Sequence, residues 1–206
     1  MIPTATATRR DTGPPVLRPA QADRLLTTGD HRTHKGRRDT ALLAVMVLGG
    51  LRIHEAVRLT RDAVYTDAGK LRLEFLGKGQ RRRTVTLPPT AARAVRAWMA
   101  DERAGRWFIF PGRHGEHLSI RAAQDVLKAR CLAAGLPAWV HAHSLRHTYA
   151  STVMRATGDL HLVQNILGHA SPTTTAKYYL AFSPRDADRG AEAMERALHP
   201  RRAIAV

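Results

Sequence analysis

H-S-L-R-H-T-Y-A, His143 to Ala150, is followed by L-G-H-A-S, Leu167 to Ser171, and by T-T-T-A-K-Y-Y, Thr173 to Tyr179. On a helix, His143 and Arg146 stand three residues apart and share one face. Leu145, Tyr149 and Val153 then fall at core spacing, so a helix is expected from Ala142 or His143 to about Ala156. His169 follows, and Tyr178 comes nine residues after it. Cationic and hydrogen-bonding side chains beside a tyrosine hydroxyl suit one chemistry: holding an anionic group while the hydroxyl attacks it. Tyr149 reads as core, and Tyr179 is the rival to Tyr178.

Upstream lies more positive charge. A-L-L-A-V-M-V-L, opened by Asp39 or Thr40 and stopped by Gly49-Gly50, reads as a buried helix. G-L-R-I-H-E follows directly, where a backbone turn can aim Arg52 inward and Glu55, three residues on, can orient its guanidinium. The same spacing also fits a surface arginine paired with Glu55. Ala63 to Tyr65, Leu71 to Leu76 and Thr84 to Leu87 read as strands. The last two are joined by G-K-G-Q-R-R-R, a basic hairpin with Lys78 between glycines and Arg81, Arg82 and Arg83 behind it. Such a hairpin can enter a DNA groove, and these three arginines are candidate DNA contacts. So are Lys35, Arg37 and Arg38, in the polar stretch His31 to Arg38 that reads as a loop.

The remaining segments are mostly helical. Pro19 can start a helix at its first turn. Pro88-Pro89 opens an amphipathic helix to about Arg103 with Ala92, Val95, Trp98 and Met99 inside, and Ser119 caps another from Ile120 to about Ala134. Gly158-Asp159 starts a helix ending L-G-H, Ser171-Pro172 caps one carrying the tyrosines, and Asp186 to Leu198 forms the last. The expected fold class is mainly α with one small antiparallel β-sheet. Residues 1–18 read as a flexible leader, 19–198 as the domain and 199–206 as a tail.

The chain has 206 residues, 44% of them hydrophobic, with 33 Lys plus Arg against 17 Asp plus Glu, a formal charge of +16. That excess points to a polyanionic partner, nucleic acid before a membrane surface. The longest apolar run, Ala41 to Leu51, is too short to span a bilayer. The N-terminus lacks the long apolar segment of a secretion signal, so the expected compartment is the cytoplasm. A single cysteine, Cys131, excludes an internal disulfide and a cysteine-based zinc site, and it reads as a small core residue. His141, His143 and His147 lack an H-E-x-x-H pattern and a carboxylate, so no metal is expected. His147 reads as a structural hydrogen-bonding residue.

Taken together and in this order, the boxes resemble the catalytic domain of the tyrosine recombinases, or phage-type integrases, over roughly Pro19 to Leu198. G-L-R-I-H-E resembles the family's first arginine box (Arg52, Glu55). G-K-G-Q-R-R-R resembles its hairpin lysine (Lys78), H-S-L-R-H its H-x-L-R-H box (His143, Arg146), and L-G-H supplies His169. The resemblance implies Tyr178 as nucleophile, a 3′-phosphotyrosyl intermediate, His143 as proton acceptor and Lys78 as general acid. It implies no cofactor and no metal, and a covalent intermediate that conserves the phosphodiester energy without ATP. It further implies double-stranded DNA carrying a specific recombination site, self-assembly on that DNA, and a nucleoid-associated location; Asp186 to Val206 either packs on a neighbouring protomer or covers its own domain. A type IB topoisomerase-like enzyme and a catalytically silent DNA-binding regulator are the competing readings. Family members commonly carry a DNA-clasping helical domain ahead of the catalytic one. The short leader here implies either a fragment or a minimal enzyme.

Overall fold

Helix α2 (His34–Val47) is the axis of the fold. Every residue from Ala41 to Leu48 is fully buried in this computed structural model, so the helix is apolar on all sides in its second half. It is surrounded by α1 (Pro19–Thr27), α3 (Ile53–Val57), α4 (Pro89–Met99), α5 (Ile120–Ala133) and α6 (Ala142–Thr157). The structure describes residues 15–76, 82–167 and 184–199. A leucine deep in α2, such as Leu43, costs about 2–5 kcal/mol when cut to alanine, because the cavity cannot close.

The expected fold class holds: mostly helix with one small sheet. Strands β1 (Val64–Asp67), β2 (Lys70–Leu76) and β3 (Arg82–Thr86) form an antiparallel sheet in sequential order. Leu73 pairs with Val64 on one side and Val85 on the other, and Phe75 pairs with Arg83. The final elements are α7 (Leu160–Leu167) and α8 (Pro184–Leu198). Helix α8 packs on β3, α6 and α7. Its Asp188 accepts hydrogen bonds from Arg72 and Thr86, each at 2.9 Å, and pairs with Lys70 at 3.0 Å. Burial pushes the Asp188 carboxyl up, but hydrogen bonds from Lys70, Thr86 and Arg72 outweigh it and hold its pKa below the usual value. No helix among the described residues is long and apolar enough to cross a membrane.

Several helix ends have clear chemical causes. Ser119 caps α5 by accepting from the Ala122 N–H, and Gly158 closes α6 in a left-handed conformation at φ 65°. Arg130, buried on α5, donates to the Leu25 and Leu26 carbonyls of α1 and to Thr40 Oγ1 of α2. A guanidinium placed at the last turn of α1 satisfies acceptors that the helix leaves open. Cys131 is buried as expected, and burial pushes its thiol pKa up.

Two boundaries differ from expectation. Helix α2 begins at His34, not at Asp39 or Thr40, so the stretch expected as a loop is largely helix. Thr33 is the cause: its hydroxyl accepts from the Gly36 N–H and caps the helix. At the other end of the expected leader, Leu17 is buried and its N–H donates to Thr148 Oγ1 at 2.9 Å. Packing therefore includes residues ahead of Pro19.

Candidate active site

Gly50 builds the first part of the site. Its φ is +67°, and a Cβ there would stand 2.5 Å from the Tyr149 ring. Only glycine satisfies both demands, a left-handed backbone and an aromatic face laid against its Cα. This turn delivers Arg52 as the N-cap of α3. The Arg52 N–H donates to Glu55 Oε2 at 2.7 Å and its Nη1 donates to Glu55 Oε1 at 3.0 Å. The expected pairing of Arg52 with Glu55 is thus present, and the Arg52 side chain remains 37% exposed.

Arg146 reaches the same carboxylate from α6. It is only 4% exposed, and its Nη1 stands 3.8 Å from Glu55 Oε2. Nη1 donates to the Gly50 carbonyl at 2.7 Å, and Nη2 donates to the Leu167 carbonyl. One guanidinium therefore ties the glycine turn to the C-terminal end of α7, where the L-G-H box begins. Arg83 arrives from β3, 7% exposed, with Nη1 3.7 Å from Glu55 Oε1 and its guanidinium 5.1 Å from the centre of the Phe75 ring. Its Nε and Nη2 are buried and make no hydrogen bond to a described residue.

Three guanidinium groups thus surround one carboxylate that is itself 9% exposed. Burial lowers the Arg146 pKa to about 10, with Arg83 and Arg52 adding to the drop and Glu55 and Tyr149 opposing it. Burial likewise lowers Arg83 to about 10, with Glu55 and Tyr149 opposing. Both remain protonated at neutral pH, so the cluster keeps two positive charges beyond what Glu55 neutralises. Tyr149 itself is buried, as its spacing predicts, and burial pushes its hydroxyl pKa well above the ordinary value. Its Oη also makes no hydrogen bond to a described residue.

His143 opens α6 on the exposed side. Its ring meets His147 edge-on at 4.4 Å and lies parallel to His141 at 6.5 Å. Burial lowers its pKa from 6.5, and His147, His141, Arg146 and Arg52 push in the same direction. The shift favours the neutral imidazole, the form that accepts a proton. The helix cap is His141, whose Nδ1 accepts from the His143 and Ser144 N–H groups. Sequence reasoning missed this role, since histidine is not among the usual capping residues.

The remaining candidates divide in two. Lys78, Arg81, His169, Tyr178 and Tyr179, and the side chain of Arg82, lie outside the described residues. Lys78 belongs to the segment that joins β2 to β3, the strand carrying Arg83. On α2, Lys35 is 74% exposed and pairs with Asp39 at 2.7 Å. Arg38 is bound to the other oxygen of Asp39. Arg37 is turned inward: it donates to Asp101 at 2.6 and 2.8 Å and to the His31 and Arg32 carbonyls. Arg37 and Arg83, expected as DNA contacts, are thus committed to interior acids. The strand parity that Arg83 shares with buried Val85 is the signal that would have placed it inside. Among the described residues no group of three or more His, Cys, Asp or Glu side chains stands where it would hold a metal ion. A cavity of about 520 Å³ opens between the sheet, α4 and α8, and none of the three clustered arginines lines it.

The sequence profile of the phage integrase family matches residues 15–184. Tyrosine recombinase XerC of Xylella fastidiosa is 42% identical over 147 residues, covering 71% of this chain and 49% of that protein. Tyrosine recombinase XerD of Listeria innocua is 30% identical over 185 residues, covering 86% of this chain and 62% of that protein. The chain therefore spans about half the length of the curated XerC relatives it matches. Among solved structures, XerH site-specific recombinase bound to difH substrate in a pre-cleavage complex superimposes with a TM-score of 0.68 at 25% identity, covering 77% of this chain and 48% of that chain. XerA recombinase superimposes with a TM-score of 0.67 at 20% identity, covering 98% and 68%, a likeness of fold. With its mainly helical fold, its arginine cluster on one glutamate and a family match over most of its length, the chain belongs to the phage integrase family.

Proposed function

We propose that this chain is the catalytic domain of a site-specific DNA recombinase that breaks and rejoins strands through a 3′-phosphotyrosyl intermediate. The observation that carries this reading is the surplus of positive charge around Glu55. Arg146 is pinned by two carbonyls and Arg52 is held by Glu55 yet partly open to solvent. A phosphodiester attacked in line gathers negative charge on its non-bridging oxygens, and fixed guanidinium donors meet that charge without reorganising. The XerC and XerD relatives and the DNA-bound XerH structure support the same reading.

In the proposed reaction, Tyr178 Oη attacks the phosphorus and its proton passes to neutral His143. The bond from phosphorus to the 5′ oxygen breaks, and Lys78 protonates the departing oxygen. His169 donates a further hydrogen bond to the phosphate. A 5′ hydroxyl of a second strand then attacks the phosphotyrosine, restoring the phosphodiester and the tyrosine. No external energy source is consumed. Double-stranded DNA bearing a specific site is the partner, with Lys35, Arg38, Arg81 and Arg82 as backbone contacts. Assembly of copies on that DNA completes the scheme in a cytoplasmic, nucleoid-associated setting.

The test is a randomised pool of nicked duplexes incubated with the full chain. Wild type is expected to yield a detergent-stable adduct whose trapped strands share a sequence, and Tyr178→Phe is expected to yield none. Adduct from Tyr178→Phe but not from Tyr179→Phe moves the nucleophile by one residue. No adduct with wild type, alongside tight duplex binding, favours a silent DNA-binding module. Relaxation of supercoiled plasmid without strand exchange favours a topoisomerase-like enzyme.

A further inference from the structure

Arg83 is difficult to explain as a stabilising residue. Its nearest ionic partner among the described residues is Glu55 Oε1 at 3.7 Å, and Arg52 already holds that oxygen at 3.0 Å. Two of its nitrogens are buried without a hydrogen bond to a described residue. Buried donors left unmade are costly, and an apolar side chain beside Phe75 would serve folding better. Buried polar groups in this condition call for another explanation, and function is the common one.

The position of Arg83 supplies that explanation. It meets Glu55 at 7% exposed, closed off from solvent, whereas Arg52 is partly open. It shares Glu55 Oε1 with Arg52, at 3.7 Å against 3.0 Å. Its charge adds to the burial that lowers the pKa of Arg146. At an effective dielectric typical of such sites, a unit charge a few ångströms away changes anion binding by a factor of about ten or more.

We infer that Arg83 is a positioning residue: without touching the phosphate, it holds Glu55 and supplies the charge that makes the Arg52–Arg146 pair an anion clamp. This rests on the proposed function for its substrate, but the clamp can be measured without DNA. Tungstate, a stable tetrahedral dianion, is the probe, titrated calorimetrically into the full chain. Arg83→Met is expected to weaken tungstate binding about tenfold, and Arg83→Lys to recover most of it, because the charge matters more than the fork. The melting temperature of Arg83→Met is expected to stay level or rise, since Glu55 keeps Arg52 and Arg146 as partners. On a duplex selected from the random pool, the adduct-forming rate at saturation is expected to fall about tenfold. Duplex Kd and its salt dependence are expected to hold.

Unchanged tungstate affinity in Arg83→Met, or no tungstate binding by wild type, overturns the inference. A salt slope reduced by about one contact overturns it in favour of a direct phosphate contact. Both variants failing to fold overturns it in favour of a purely structural arginine. Arg83-dependent tungstate binding with no wild-type adduct leaves the clamp standing and removes the recombinase reading instead.

Discussion

Of the carboxylates that gather cations in this molecule, Asp101 and Glu55 do so on opposite terms. Asp101, at the end of α4, is saturated: Arg37 donates to it twice, and His34 Nδ1 stands 2.7 Å from one oxygen. Burial pushes its pKa up, but hydrogen bonds from the Arg103 N–H, Arg37 and His34 outweigh that and hold it at about 2. Arg37 spends its other donors on two carbonyls. Glu55 is instead outnumbered, with three guanidinium groups and orphaned donors on one of them. A balanced network fastens α2 to α4, and an unbalanced one has charge left for a ligand. Charge balance separates the two: one guanidinium stands at Asp101 and three at Glu55.

Glu55→Gln is the most damaging way to break this contrast. It leaves Arg146 and Arg83 buried without a counter-charge, and removing one partner of a buried pair costs about 3–5 kcal/mol. Chemical denaturation should show that loss. Adding Arg83→Met to Glu55→Gln should return part of it, since one stranded charge goes with it. Additive losses in the double variant would mean that the two side chains do not act on each other. Asp101→Asn probes the balanced network. A lower melting temperature is expected, by less than for Glu55→Gln because Arg37 keeps its two carbonyl acceptors. Tungstate affinity and adduct rate should not move. A change in either would join the two networks.

Much of this was legible in the chain, and the failures have a common cause. The 3.6-residue period located the buried helices, Ser119 announced its cap, and Arg52 with Glu55 three residues later predicted a pair that exists. Local chemistry decides those features. The inward turn of Arg37 depends on Asp101, which is 64 residues away, and no window over His31 to Arg38 contains it. The burial of Arg83 depends on which face of β3 meets the core, and three consecutive arginines conceal that alternation. Charge groups Arg83 with its neighbours, whereas parity with Val85 places it inside.

His143 offers a smaller effect that reads the field of the unbalanced cluster. Burial and the neighbouring His147, His141, Arg146 and Arg52 lower its pKa from 6.5. As a proton acceptor it works only when neutral, so the adduct rate should be level through neutral pH and fall as pH drops below 6.5. Folding stability should follow the same sign. The protonated form is disfavoured in the native state, so stability is full above 6.5 and is lost as pH falls through the depressed native value. His147→Gln removes one neighbour and should move the midpoint of the rate profile up toward 6.5. A midpoint that stays fixed would show that His147 does not act on His143.

The mildest test separates Lys35 from Arg37, two residues of one helix that sequence alone groups together. Lys35 is largely exposed, and Arg38 keeps Asp39 occupied when Lys35 is cut. Since Lys35 is the solvent-facing partner and Asp39 keeps Arg38, Lys35→Ala should scarcely change the melting temperature. If Lys35 meets a DNA phosphate, the slope of log affinity against log salt should fall by about one. Arg37→Ala should do the reverse, lowering the melting temperature and leaving the slope alone, because its donors are already spent on Asp101 and two carbonyls. A salt slope that responds to Arg37 would mean that the Asp101 network opens to DNA, and the distinction between spent and unspent arginines would not survive binding.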